Sequence, residues 1–321
     1  MMASANPENI PSWDLSDFYS GPDAPEIDAD LGKVSDKATG FEKSFQGRVA
    51  ELSPTAFAEA IIDFESLTQD MHRIGSYAQL LDAADVSKPD TARFYQRIHE
   101  RITDISTHVL FFTLEINRLD EEAFTNLIAD SAVAHYGPWL RDVRAFRDHE
   151  LSDELEQLLH QKSVTGRSSW SRLFDETMAD MRIDLDGEQL TLSDTLNRLS
   201  STDGAVRKAA AKALGQHLSG QVRLFSLITN TLSKDKEIED RWRSYAAPMS
   251  SRNLENQVED DVVEALVSAV KDAYPRLSHR YYALKAKWFG VDQLDYWDRN
   301  APLPDQADRT YSWEDARSTE L

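Results

Sequence analysis

The sequence predicts an all-α protein, mainly helical, with a short β-hairpin near residues 181–192. Three observations predict this class. The 321 residues include only 12 Gly and 11 Pro, so turns are sparse and long helices are expected. Apolar residues recur at spacings of three and four over most of the chain, as they do on one face of a helix. Asp186–Gly187 lies between two short alternating segments and is the strongest hairpin signal available.

The elements of the first hundred residues follow from local signals. Residues 1–25 read as an extended, Pro-rich arm. Four apolar side chains are expected to pin the arm onto a helical body: Trp13, Leu15, Phe18 and Tyr19. A first helix is predicted from Ile27 to Val49. A second begins at Ser53–Pro54, because Ser is favoured at the N-cap and Pro at the first helical position.

One continuous helix is predicted from about Asp90 to Asn117. Its apolar positions repeat at spacings of 4, 4, 3, 4, 3 and 4, which is a helical stripe without strand character. These positions are Phe94, Ile98, Ile102, Ile105, Val109, Phe112 and Ile116. Further helices are predicted over 120–130, 138–147 and 152–162, and over 163–178 after a capped start.

In the second half, the hairpin over 181–194 interrupts the helical pattern. Ser193 is expected to cap a short helix after it, and Asp203 precedes an Ala-rich helix. Residues 221–242 and 259–273 continue the helical pattern. The segment WDRNAPLP, residues 297–304, is predicted to be extended because of its two prolines.

The stretch HRYYALKAKWFG, residues 279–290, is apolar, basic and aromatic together. Leu277, Tyr281, Leu284 and Trp288 form one helical stripe, with Arg280, Lys285 and Lys287 off it. A packing helix that ends in a left-handed cap at Gly290 is therefore predicted. The alternative is a basic-aromatic patch that contacts a ligand, for which three side chains are candidates: Tyr281, Tyr282 and His279.

Composition excludes several function classes. The formal net charge of −21 repels phosphate backbones, so nucleic acid is not an expected partner. The chain has no cysteine, which excludes disulfides, thiolate chemistry and iron–sulfur clusters. Neither a signal peptide nor an apolar run long enough to span a bilayer occurs, so no membrane association and a cytoplasmic location are expected.

The eight histidines do not form a helical zinc-peptidase motif. Such a site needs H-E-x-x-H, which places two imidazoles on one helix face with the Glu over the metal-bound water. The nearest match is HELSD, residues 149–153, where Asp153 takes the place of the second histidine. A metal site there is one interpretation; the other is a helix boundary at which Ser152 or Asp153 starts the next helix.

Other patterns favour structure over chemistry. No phosphate-binding glycine motif and no G-x-S-x-G elbow occurs. In EIEDRWR, residues 237–243, Glu237 precedes Arg241 by four and Glu239 precedes Arg243 by four, which predicts ion pairs on a solvated helix face. Ser312, with Asp315 three residues on, predicts a helix start near the end of the chain. Since the chain stops at Leu321 barely two turns later, a fragment of a longer protein is expected.

Five separated blocks together resemble the oligoendopeptidase F family, which comprises thimet-oligopeptidase-like zinc metallopeptidases. They are PSWDLSDFYSGPD, SVTGRSSWSRLFDETM, LFSLITNTLSKDKEIEDRWR, HRYYALKAKWFG and WDRNAPLP, in this order. The resemblance extends from about residue 10 to the end. It implies a two-lobed helical architecture, here truncated, in which short peptides are cleaved inside a channel.

The resemblance also implies a division of the chain and a cofactor. Residues 1–115 would be an N-terminal helical region, 116–185 the family's N-terminal helical domain, and 200–321 the first part of the peptidase domain. One zinc ion is implied for the complete protein, held by H-E-x-x-H and a further Glu. No residue here matches a metal ligand or the catalytic base, so none is assigned. The stripe of 279–290 would then pack, at least in part, against helices that this chain lacks.

A second hypothesis belongs to a different class. The chain could be a non-catalytic helical scaffold or peptide-binding module, which predicts peptide affinity without cleavage. Neither hypothesis fixes the oligomeric state or the residues that contact a substrate.

Overall fold

A computed structural model describes residues 13–304 and 310–320. Apart from one two-stranded hairpin, the regular secondary structure of these residues is helical, which confirms the predicted all-α class. The helices are α1 (Pro25–Phe45), α2 (Pro54–Ala84), α3 (Pro89–Thr107), α4 (Leu110–Arg118), α5 (Glu121–Ala129), α6 (Gly137–Arg144), α7 (Asp153–Lys162), α8 (Arg167–Ala179), α9 (Leu192–Arg198), α10 (Gly204–Gly220), α11 (Val222–Trp242), α12 (Ser250–Glu255), α13 (Asp260–Ala273), α14 (Ser278–Trp288) and α15 (Trp313–Glu320). The strands are β1 (Ile183–Leu185) and β2 (Glu188–Leu190). In this described part of the chain, no helix is both long and apolar enough to cross a membrane.

The described residues form two compact units. The larger unit comprises residues up to 179 together with 226–260. Its core lies among α1 to α4 and is centred on Phe112, which is fully buried. The Phe112 ring lies 5.2 Å from the rings of Phe41 and Phe64, at the separation that aromatic pairs prefer. Burial of these rings supplies much of the apolar surface that stabilises the unit.

The first two helices lie where the sequence predicted them, apart from the end of the first. Ser53 Oγ accepts a hydrogen bond from the Ala56 amide at 3.3 Å, so the predicted start of α2 is confirmed. The first helix ends at Phe45, four residues earlier than predicted, and a 3₁₀ turn follows at Val49–Glu51. In the arm, Tyr19 is buried against Tyr77, as predicted, and Leu15 and Phe18 pack beside it. Trp13 is 71% exposed, so its predicted pinning role is wrong. Arm residues 1–12 lie outside the described residues.

The continuous helix predicted over 90–117 is wrong, because the chain breaks between α3 and α4 at His108 and Val109. Three hydroxyls near the end of α3 bond back to carbonyl oxygens of the preceding turn, which loosens a helix. The donors are Thr103, Ser106 and Thr107. His108 Nδ1 then lies 2.9 Å from Glu42 Oε2 on α1. The apolar stripe survives the break, since both helices face the same core.

The smaller unit comprises residues 180–225 and the described residues from 261 onward. Its hairpin pairs Ile183 with Leu190 in antiparallel register and buries both. Asp186 (φ 55°) and Gly187 (φ 88°) form the turn in left-handed conformations, as the Asp-Gly signal predicted.

Capping in the smaller unit follows the prediction at three of four positions. The predicted cap at Ser193 is wrong, because Ser193 lies inside α9. Thr191, one residue before the helix, is the cap, and its hydroxyl accepts a hydrogen bond from the Asp194 amide. Asp203 caps α10 and Ser312 caps α15, as predicted. Gly290 (φ 68°) follows the end of α14 in the left-handed region. Leu321 lies outside the described residues.

Candidate functional site

The segment 149–153 begins α7, and its side chains point to different partners. The His149 ring stacks on Tyr245 at 3.9 Å, and its Nδ1 donates to the Arg243 carbonyl oxygen at 2.8 Å. Asp153 accepts hydrogen bonds from the Arg118 guanidinium. Ser152 has the extended backbone of an N-cap but makes no side-chain cap bond. The helix-boundary interpretation therefore fits this segment.

The zinc ion that the family resemblance implies needs a set of His, Asp or Glu ligands that converge on one point. No three His, Asp or Glu side chains among residues 13–304 and 310–320 converge as metal ligands. His149 and Asp153 are held by Arg243 and Arg118, as above. The described residues do not fit the ion, and no chemical step is derived through it.

Arg243 is the centre of a buried ion pair that the sequence pattern did not reveal. Its Nη1 and Nη2 donate to the two carboxylate oxygens of Glu156 at 2.6 and 2.9 Å. The helix-face pairs predicted for residues 237–243 are present, with Arg241–Glu237 at 3.2 Å and Arg243–Glu239 at 2.8 Å. The prediction of a solvated face is nevertheless wrong for Arg243, whose side chain is only 18% exposed. Bidentate geometry of this kind is the strong form of the Arg–carboxylate contact.

The environment of this pair shifts two pKa values. Burial acts to raise the pKa of Glu156, but the hydrogen bonds from Arg243 and the Leu151 amide outweigh it, so this pKa is lowered. Burial raises the pKa of the neighbouring Glu150 to about 7, against a lowering hydrogen bond from Asn117. Glu150 is therefore a group that titrates near neutral pH inside a structural network. Its sequence context, HELSD, gave no sign of this because the cause is tertiary burial.

In the smaller unit, two buried cations hold the segment 296–301. Arg207 donates from Nε and Nη2 to Asp298 Oδ1 at 3.0 and 2.6 Å. Lys285 Nζ donates to the Arg299 carbonyl oxygen at 2.8 Å. Both cations lie over the Phe289 ring, at 5.7 and 5.6 Å from its centre. Burial, followed by the charge of Arg207, lowers the pKa of Lys285.

These contacts correct two predictions. Lys285 was placed off the packing face of its helix, yet it is 2% exposed. The extended conformation predicted for WDRNAPLP is wrong at its start, because Trp297 and Asp298 belong to a 3₁₀ turn, Tyr296–Asp298, and Arg299 is still in the right-handed helical region. Asp298 is drawn into the turn by Arg207, which lies 91 residues away in sequence.

The apolar stripe predicted on α14 lies on the surface. Leu277, Tyr281, Leu284 and Trp288 are 43–60% exposed. The candidate contacts Tyr281, Tyr282 and His279 are exposed on this helix as well, and their role stays a prediction. The helix therefore presents a hydrophobic surface.

A cavity of about 760 Å³ in the larger unit opens beside α2, α3 and α8, and is of ligand size. Asp82 and His99 line it. Within the described residues, Asp82 Oδ1 and His99 Nε2 are buried without a hydrogen-bond partner. Burial, followed by the charge of Glu176, raises the pKa of Asp82. Sequence reasoning missed this pocket because its walls come from helices far apart along the chain.

Comparisons with known proteins agree with the fold and the sequence blocks. Residues 115–183 match the family model described as Oligopeptidase F. The chain is 23% identical to Oligopeptidase PepF of Bacillus subtilis (strain 168), covering 95% of this chain and 46% of that protein. It is 22% identical to Group B oligopeptidase PepB of Streptococcus agalactiae serotype III (strain NEM316), covering 95% of this chain and 51% of that protein.

A solved structure shares the fold. The crystal structure of oligoendopeptidase-F from Enterococcus faecium aligns with a TM-score of 0.74 at 24% identity, covering 86% of this chain and 56% of that one. The chain spans about half the length of the curated relatives it matches. The family model, these relatives and this fold agree, and the chain resembles oligoendopeptidase F in sequence and in fold.

Proposed function

We propose that this chain is the N-terminal portion of a zinc metalloendopeptidase that hydrolyses short peptides inside a channel. The observation that carries the proposal is the family match combined with coverage of about half of each relative. The sequence contains no H-E-x-x-H, so the proposal places the zinc ligands and the general base outside these 321 residues. It assigns no catalytic residue and no metal ligand within this chain, which alone is expected to be inactive.

The chain's own contribution would be structural. We retain the division into an N-terminal helical region (1–115), a helical domain (116–185) and the first part of a peptidase domain (200–321). The buried pairs Glu156–Arg243 and Arg207–Asp298 would keep their helices in fixed positions. Rigid walls suit a channel enzyme, because a reaction centre tolerates little displacement. Short peptides are the proposed substrates and the cytoplasm is the proposed location.

Two measurements test this proposal. The first is the reading frame after the codon for Leu321, which is expected to continue and to encode H-E-x-x-H. A stop codon there, or a continuation without that motif, would contradict the complete-enzyme proposal.

The second measurement compares the 321-residue chain with the longer encoded protein on an internally quenched peptide. The longer protein is expected to cleave the peptide, to lose activity with a chelator and to regain it with zinc. The 321-residue chain is expected to leave the peptide intact. If both proteins bind the peptide without cleaving it, the scaffold hypothesis is favoured. If the 321-residue chain cleaves the peptide and a chelator stops it, the zinc site lies within these residues and the proposal is refuted.

A further inference from the structure

The cavity of about 760 Å³ beside α2, α3 and α8 is lined by both carboxyl groups and apolar side chains. At the end of α2, Asp82 lines it together with Ala83 and Val86. On α8, Asp175 and Met178 line it. All of these residues belong to the larger unit. Walls of this composition suit a ligand that is partly charged and partly aliphatic.

Asp82 lacks a partner. Its carboxyl group makes no hydrogen bond or ion pair within the described residues, and its Oδ1 is buried. Burial, and after it the charge of Glu176, raise the pKa of Asp82, while the Arg172 guanidinium opposes the rise and Asp175 adds to it. A partly buried carboxylate without a partner is unfavourable, and the raised pKa expresses this. Protonation therefore takes the place of a cation that could pair with this carboxyl group.

The arginines that line the cavity do not supply this cation. Arg172 donates to Gln96 Oε1 and lies 3.5 Å from Glu176 Oε1. Arg167 is exposed at the first residue of α8, about 12 Å of helix axis before Asp175. Within the part of the chain that the structure describes, Asp175 forms no ion pair either. The lining carboxyl groups therefore exceed the cations that are paired with them.

An aromatic wall completes the cavity. The rings of Tyr95 and His99 stack with their centres 6.1 Å apart, and both residues line the cavity. Aromatic faces attract organic cations. No three His, Asp or Glu side chains among residues 13–304 and 310–320 converge as metal ligands. An organic cation therefore fits this cavity better than a metal ion does.

We propose that the cavity binds a primary ammonium group on an aliphatic chain, with the ammonium at Asp82 and Asp175. Its aliphatic part would lie along Ala83, Val86 and Met178. The ammonium would give Asp82 the hydrogen-bond donor that it lacks. A lysine side chain of a peptide and a free diamine share this chemistry. The site does not rest on the peptidase assignment, because all its residues belong to the larger unit of this chain.

Calorimetric titration of the full 321-residue chain, at about pH 7.5 and 0.15 M salt, tests the ligand class. The probes are Nα-acetyl-lysine amide, cadaverine and Nα-acetyl-norleucine amide, which has a similar aliphatic chain without the ammonium. One molecule of the first or second probe is expected to bind per chain, and the norleucine derivative is not. Binding of the lysine derivative alone assigns the ligand to a peptide side chain, and binding of cadaverine alone assigns it to a free amine. If neither binds, or if the norleucine derivative binds equally well, the proposal is overturned.

Substitutions separate this site from a diffuse attraction of amines to a chain of net charge −21. Asp82→Asn keeps the size of the side chain, removes its charge and should weaken binding at least tenfold. Asp175→Asn should weaken it as well, and its exposed position makes misfolding an unsuitable explanation. Asp142→Asn is the matched control, because Asp142 is half-buried on α6 and does not line the cavity, and it should bind like the wild type. Binding that Asp82→Asn and Asp175→Asn leave unchanged would mean surface attraction and would overturn the proposal.

Proton release gives a readout that a merely structural role of Asp82 would not change. The ammonium favours the charged carboxyl group, so the ligand should lower the pKa that burial has raised. Affinity should therefore fall as the pH is lowered from about 7.5 toward 4.5, and binding at the lower pH should release a proton. Calorimetry in two buffers of different ionisation enthalpy measures this release, which should be smaller in Asp82→Asn. Equal proton release by the wild type and Asp82→Asn would show that the ligand does not pair with Asp82.

Discussion

Glu150 carries a carboxyl group that the fold keeps protonated close to neutral pH, and replacing it with glutamine isolates the energetic effect. Burial raises its pKa from an ordinary value of 4.5 to about 7. The hydrogen bond from Asn117 opposes this rise, and the charge of Glu156 adds to it. In Glu150→Gln, the side chain keeps its size and can still accept from Asn117, but it never ionises.

The magnitude follows from linkage. The folded protein holds this proton to a higher pH than the unfolded chain does. The stability contribution of Glu150 is therefore complete below about pH 4.5 and is lost as the pH rises through about 7. A pKa shift of this size corresponds at most to about 3 kcal/mol in the free energy of unfolding. Because Glu150 is only half-buried and water screens it, we expect about 1–2 kcal/mol.

Urea unfolding of the wild-type chain and the variant from pH 5 to pH 8.5 measures this effect. Glu150→Gln should gain about 1–2 kcal/mol over the wild type between the two ends of the range. Glu154→Gln is the control, since Glu154 is exposed in the first turn of the nearby helix α7, and it should follow the wild-type curve. A difference between Glu150→Gln and wild type that stays constant with pH would refute a neutral-range titration of Glu150.

Three further changes test the packing, each by urea unfolding at pH 7. Arg243→Met leaves the Glu156 carboxylate buried without its bidentate partner and should lower the free energy of unfolding by about 2–4 kcal/mol. Adding Glu156→Leu should recover most of this loss. An equal loss in the double variant would contradict the ion-pair account. Phe112→Ala should cost about 3–5 kcal/mol and Trp13→Ala less than about 0.5, because only the first side chain is buried; similar costs would mean that the core is elsewhere. Gly187→Ala should cost about 1 kcal/mol, since the turn holds φ at 88°, and a neutral result would indicate a different turn.

Features with local causes could be predicted from the sequence. Ser53 caps α2 by accepting a hydrogen bond from the amide three residues along the chain, and Asp186–Gly187 forms a turn between adjacent strands. In both places the deciding hydrogen bond or dihedral angle lies within a few residues. Helix existence was predicted on the same basis, because the period of the apolar residues is itself local.

Features with distant causes could not be predicted. The break at His108 involves Glu42, 66 residues away, and Arg243 turns inward toward Glu156, 87 residues away. Lys285 is buried because the 3₁₀ turn at Tyr296–Asp298 brings the Arg299 carbonyl oxygen within reach. A helical pattern gives the face on which a charge lies, but it does not give the partner that makes burial tolerable.

The pairing of the buried carboxylates bears on where a metal could be held in a peptidase built from this chain. Glu156 and Asp298 are each joined to an arginine, and these arginines, Arg243 and Arg207, are themselves largely buried. A carboxylate that left its arginine to bind zinc would strand a guanidinium in the interior, which costs several kcal/mol. Metal binding at these positions would therefore work against the fold. If the proposed peptidase binds zinc, we expect its ligands to be residues other than these paired carboxylates.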